Sequence, residues 1–244
     1  MFPYRVDNPR IAGAPATWAI ITLNVLVWVV VEGMGADANQ LCSLGLIPSA
    51  LLGHLAPGAT VPLGQGLSCS VGSIPAWLTP LTSMFMHGGW FHLIGNMWFL
   101  WLFGPNVEDI MGSARYAGFY LLAGLAAAAA QVLADPHSTL PMVGASGAIS
   151  GVMGAYVVLF PRVRVHILVF LGIFITRIAV PAYLMLGYWF LLQVLGGSVG
   201  ALQAQGGGVA FAAHVGGFVT GAASVLLFRD PDRWSRRHAM LSPA

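Results

Sequence analysis

The sequence predicts an all-α, polytopic membrane protein, one six-helix bundle over residues 1–244, and three observations carry that expectation. Charged residues make up 7% of the chain and apolar residues 57%, too little charge to cover a soluble protein of this length. Six apolar stretches reach, or nearly reach, the roughly 20 residues needed to cross about 30 Å of hydrocarbon. All ten basic residues are Arg, and a six-span arrangement puts every one of them on the same side.

The spans are expected at about 14–34, 89–105, 114–133, 146–160, 178–195 and 208–228. Lipid offers backbone groups no hydrogen-bond partner, so helices are the form such runs take. The first run is too long for a signal-peptide core and no cleavage pattern follows it, so it reads as a retained span. The second and fourth are short. The apolar run from Val165 to Ile175 reads as a re-entrant piece or the start of the fifth span.

Arg5 and Arg10 precede the first span, Arg115 follows the second, Arg162 and Arg164 follow the fourth, and Arg177 precedes the fifth. Arg229, Arg233, Arg236 and Arg237 follow the sixth, in a tail over 229–244. The positive-inside rule makes that side cytoplasmic, with both termini on it. No Arg- and Ser-rich transit segment opens the chain, which favours a bacterial inner membrane over an organelle. No basic run points to nucleic acid or to a polybasic lipid anchor. The long external loop, about 35–88, holds Cys42 and Cys69. One disulfide or two thiols are both compatible with that position.

Polar groups inside spans are costly and so are functional candidates. Three places qualify: His87, His92 and Asn96 around the start of the second span, Ser146 at the start of the fourth, and His214 in the sixth. At 1.5 Å per residue, Ser146 lies roughly 24 Å from Arg162, His214 roughly 22 Å from Arg229, His92 roughly 24 Å and Asn96 about 18 Å from Glu108. Four polar residues from three helices thus converge on one level. Gly144, Gly147, Gly151, Gly217 and Gly221 are expected to serve close packing, since small residues four apart let membrane helices approach closely. That contact between the fourth and sixth spans would bring Ser146 to His214.

A serine hydroxyl needs a base to take its proton, and a neutral imidazole serves near pH 7. No Asp or Glu is read at that level, so the expectation is a dyad without an orienting acid. Asn96, His92 and the Ser146 backbone N–H are candidate oxyanion donors. His87 and His92, five apart, do not share a helix face and no membrane carboxylate completes a set, so no metal is expected. His54, His137 and His166 fall outside the site.

His87-x4-His92-x3-Asn96, Gly144-x-Ser146-Gly147 and Ala213-His214-x2-Gly217-x3-Gly221, with Val107-Glu108-Asp109-x2-Gly112, resemble the motif set of the rhomboid intramembrane serine proteases. The resemblance runs from about Trp77 to Leu227. It implies Ser146 as nucleophile, His214 as base, His92 and Asn96 at the oxyanion site and His87 in support. It also implies no cofactor and cleavage in or beside a substrate's membrane helix, at small residues near helix-weakening ones. The fifth helix would be a lateral gate for substrate and the long first loop an interfacial one. Two positions depart from the family pattern: Trp77-Leu78 stands where Trp-Arg is usual, and Ser150 stands where an aromatic usually stacks on the base. A proteolytically inactive relative that binds membrane helices is the competing expectation, and a transporter or channel a more distant one.

Overall fold

The computed structural model describes residues 2–36, 39–64, 67–72, 74–171, 174–203 and 210–241. A short strand β1 (Phe2–Val6) leads to α1 (Pro15–Leu26), which widens into a π-helical turn at Val27–Val31. The long loop carries α2 (Asn39–Leu44), α3 (Pro48–Leu51), the β2–β3 hairpin (Thr60–Gly64 and Leu67–Ser70) and α4 (Thr79–Thr82). Then come α5 (Trp90–Met111), α6 (Ser113–Ala134) and α7 (Ser146–Leu159). The strands β4 (Arg164–Leu171) and β5 (Phe174–Pro181) precede α8 (Ala182–Gln203), α9 (Phe211–Phe228) and α10 (Pro231–Leu241).

The fold is mostly helical but not all-α. The run from Val165 to Ile175, read above as re-entrant or helical, forms an antiparallel hairpin with the residues after it, and β1 adds a third strand in the order β1-β4-β5. Its β-branched residues (Val165, Ile167, Val169, Ile175, Ile178, Val180) suit a pleated surface better than a helix. The hairpin pushes the following helix start from 178 to Ala182 and places Arg177 in β5. Around it, Asp7 meets His166 at 2.8 Å and Arg5 at 3.1 Å. The hydrogen bond to His166, with help from both charges, holds the Asp7 carboxyl below its usual range.

Two helices among the described residues, α6 and α9, are long and apolar enough to cross a membrane by length and composition. Pro15–Val31, Ser146–Leu159 and Ala182–Gly197 are apolar but shorter. The stop expected at Pro105 does not occur: α5 continues through it to Met111 and ends at Gly112, whose φ is +75°. The turn beyond Pro105 is fastened from outside, which offsets the hydrogen bond that a proline removes. Glu108 accepts the backbone N–H groups of Ala16 and Thr17 and the hydroxyls of Thr17 and Ser113, all within 2.9 Å. It thereby caps the free donors in the first turn of α1 from another helix. Asp109 accepts Ile11 N, Ala12 N and the Arg237 guanidinium of α10, and Arg237 also reaches Asn8. The expected tail thus contains a docked helix. The sixth helix begins at Phe211, and the expected start at Gly208 lies outside the described residues.

α7 is the centre of the bundle. Every residue from Gly147 to Tyr156 is buried, as expected of a helix that is apolar all round. It meets α9 backbone to backbone. A β-carbon at Gly217 would run into the Gly147 carbonyl, one at Gly221 into the Gly151 carbonyl, and one at Gly154 into the Phe218 carbonyl. On another side, Gly147 and Gly151 face Ala127 and Ala123 of α6. The long loop anchors the approach to α7, because Leu46 and Met142 exchange backbone hydrogen bonds of 3.0 and 2.7 Å and Gly144 N–H donates to Ser83 O at 2.9 Å. Cys42 and Cys69 are joined in that loop, with their Cα atoms 6.0 Å apart.

Candidate active site

Ser146 is the first residue of α7, so its backbone N–H is one of those a helix leaves without an internal partner. His214 lies in the first turn of α9. The glycine contacts between α7 and α9 set the two side chains face to face: His214 Nε2 is 2.8 Å from Ser146 Oγ. Both residues are half-buried.

Gly144, grouped above with the packing glycines, has a different place. It precedes α7, its φ is +120°, and a β-carbon there would lie 2.6 Å from His92 Nε2 and 3.4 Å from Asn96 Nδ2. Only glycine suits both that φ and that proximity. The His92 ring and the Asn96 amide, one turn apart on α5, therefore border the segment that delivers Ser146. Gly88 N–H donates to His92 Nδ1 at 3.4 Å, which puts the ring proton on Nε2, the atom nearest Gly144. Asn96 is buried and its Nδ2 has no acceptor among the described residues. His87 is buried edge-on to His92, with ring centroids 5.2 Å apart.

Two residues that the sequence reading passed over are part of the site. The Nδ1 atom of His214 lies 2.7 Å from Gln193 Oε1 on α8. The Trp189 ring, one turn earlier, lies 5.8 Å from the His214 ring. At the position where an aromatic was noted as usual, Ser150 instead bonds back to its own turn, Oγ donating to Ser146 O at 2.6 Å. The absence of acid at this end of the bundle also needs correction: Glu32 is buried, and its carboxylate accepts the backbone N–H of His87 at 3.0 Å. It supports the His87 segment and makes no hydrogen bond to His214. Both omissions had a signal, since Gln193 and Glu32 are polar residues within or at the end of apolar runs. His54 and His137 stack on each other in the loop region, outside this group.

A mostly helical bundle that brings a serine and a histidine from two of its helices within hydrogen-bonding distance defines the site. The chain belongs to the rhomboid family, whose family model, described as Rhomboid domain, matches residues 75–231. The family is one of integral membrane proteins. The chain is 30% identical over 213 residues to Rhomboid protease GluP of Bacillus subtilis, covering 85% of this chain and 34% of that protein. It is 30% identical over 145 residues to the mitochondrial Rhomboid protein 1 of Saccharomyces cerevisiae, 57% of this chain and 38% of that one. It is 34% identical over 80 residues to Putative rhomboid protease YdcA of Bacillus subtilis, 33% of this chain and 40% of that one. The chain therefore spans well under half the length of these curated relatives.

Proposed function

We propose that the chain is an intramembrane serine endopeptidase that cuts transmembrane segments of other membrane proteins with a Ser146–His214 dyad and no cofactor. The observation that carries the reading is the 2.8 Å contact between a hydroxyl and an imidazole from two different helices. The word protease in the names of two relatives supports it.

In this reading Ser146 Oγ attacks the carbonyl carbon of the scissile peptide while its proton passes to His214 Nε2. The oxyanion that forms is met by the Asn96 amide, the His92 Nε2–H and the backbone N–H of Ser146. Each such donor is worth about 2.7–4 kcal/mol in the transition state. The C–N bond then breaks as the imidazolium returns its proton to the departing amine. Water, activated by the same ring, releases the acyl group from Ser146. A substrate segment in an intact helix keeps its carbonyls bonded, so the favoured substrate has small or helix-weakening residues at the cut. Six helices would cross the membrane with the ten Arg on the cytoplasmic side, which puts the dyad nearer the opposite face.

The test is labelling of purified full-length protein by a fluorophosphonate probe. Wild type should label, and Ser146→Ala and His214→Ala should each abolish it. Folded wild-type protein that never labels would leave the chain as a non-proteolytic relative.

A further inference from the structure

An imidazole accepts the serine proton at Nε2 only when its own proton sits on Nδ1, and what Nδ1 meets decides which tautomer is present. Soluble serine proteases use a buried carboxylate for this purpose. Here the partner of Nδ1 is a neutral amide, Gln193 Oε1 at 2.7 Å.

We propose that Gln193 is a positioning residue for the base, its side-chain carbonyl accepting Nδ1–H and holding the Nε2 lone pair towards Ser146. The role rests on the protease reading above. The same amide turned over would donate to Nδ1 and drive the ring proton onto Nε2, leaving the Ser146 hydroxyl without a base. The orientation of one amide therefore separates a working tautomer from an idle one.

The surroundings show why the amide stays at that place. Ala182 and Leu186 of α8 are buried. Trp189 faces both His214 and Phe218, Phe190 stacks on Phe218 at 4.6 Å, and Gly196 and Gly197 sit against Phe211. Trp189, Phe190, Gln193, Gly196 and Gly197 recur at three- and four-residue steps and define one face of α8 seated on α9, with Gln193 one turn after Trp189. The base is therefore oriented only while α8 remains docked on α9. A displacement of α8 large enough to admit a peptide from the side would break the Gln193–His214 bond, and its return would restore it. Around the ring stand Ser146 from α7, Gln193 and Trp189 from α8, and His92 from α5, the titratable neighbour. Gln131 of α6 binds the adjacent Ala213 N–H.

The rate of fluorophosphonate labelling, followed against pH in detergent for wild type, Gln193→Met and Gln193→Glu, tests the proposal. Methionine keeps the length and loses the acceptor, so labelling should slow about tenfold, the kinetic equivalent of one hydrogen bond, with the melting temperature kept. Glutamate supplies an acceptor again, so labelling should recover. Its pH midpoint should also move upward, because a carboxylate beside an imidazolium favours the charged ring. Gln193→Met labelling at the wild-type rate would overturn the proposal. So would both variants being slowed alike with an unmoved midpoint, which would reduce Gln193 to packing. Wild type that fails to label sinks the protease reading itself, so the two failures are distinct.

Discussion

The two ends of α5 carry polar clusters that differ in how completely they are satisfied. At the C-terminal end, Glu108 and Asp109 are buried carboxylates, each holding several donors from α1, the chain before it, α6 or α10. At the N-terminal end, Asn96 is buried too, yet its Nδ2 has no acceptor among the described residues, and the His92 Nε2 proton faces the same segment before Ser146. Buried polar groups are normally paired, because an unpaired one costs about 1–3 kcal/mol. The first cluster fastens helix ends and the N-terminal segment together. The second keeps donors unspent beside Ser146, which under the proposed function would be how the site prepares for charge that appears only during reaction.

Removing one member of the paired cluster should have the largest effect. Asp109→Ala strands the Arg237 guanidinium, whose side chain is 4% exposed. Breaking a buried pair in this way costs about 3–5 kcal/mol, to be read as a large fall in melting temperature in detergent. Asn96→Ala should do the opposite. Cleavage or labelling should slow about 10²-fold or more, while the melting temperature holds because the Asn96 Nδ2 has no hydrogen bond among the described residues to lose. If both variants lose stability equally, the contrast between the two ends is wrong.

Between those extremes lies Gly217→Val, which forces carbon into the Gly147 carbonyl. Overpacking of this kind costs about 1–3 kcal/mol. The protein should still resist extraction from membranes, but labelling should vanish as Ser146 and His214 part. Full activity in that variant removes the packing argument. The smallest effect belongs to Asp7→Asn beside the hairpin. Asp7 and Arg5 are exposed and His166 is only partly buried, so solvent screening limits the loss to at most about 1 kcal/mol. Because the folded Asp7 pKa is lowered, this contribution exists above the ordinary carboxylate range and fades as pH falls through the lowered value. A melting curve at pH 7 and another near pH 3 should therefore differ less in the variant than in wild type.

Much of the architecture was readable from periodic composition. The helices at 113–134 and 146–159 begin and end within a residue of where the apolar runs suggested, because lipid-compatible runs leave the backbone few choices. The hairpin at 164–181 was not readable. An apolar run of that length suits a strand or a helix equally by hydropathy, and the pairing with Phe2–Val6, far away in sequence, decided it. The continuation of α5 past Pro105 was hidden for a similar reason, since its support comes from α1 and α10. In the candidate site, Ser146, His214, His92 and Asn96 stood out as polar residues in apolar stretches. Gln193 carried the same signal, but its meaning depended on facing a ring 21 residues away in the chain.

The sequence alone determined where the chain is too apolar for water, which residues break that rule, and that Gly147, Gly151, Gly217 and Gly221 let backbones touch. Those are local properties, set by side-chain chemistry and spacing. Only the tertiary structure decided which nitrogen of His214 meets Ser146 and which meets Gln193, and that Glu108 would cap a helix formed more than 80 residues earlier. Hydrogen bonds depend on distance and direction at the scale of tenths of an ångström, and those are fixed only when separate helices pack.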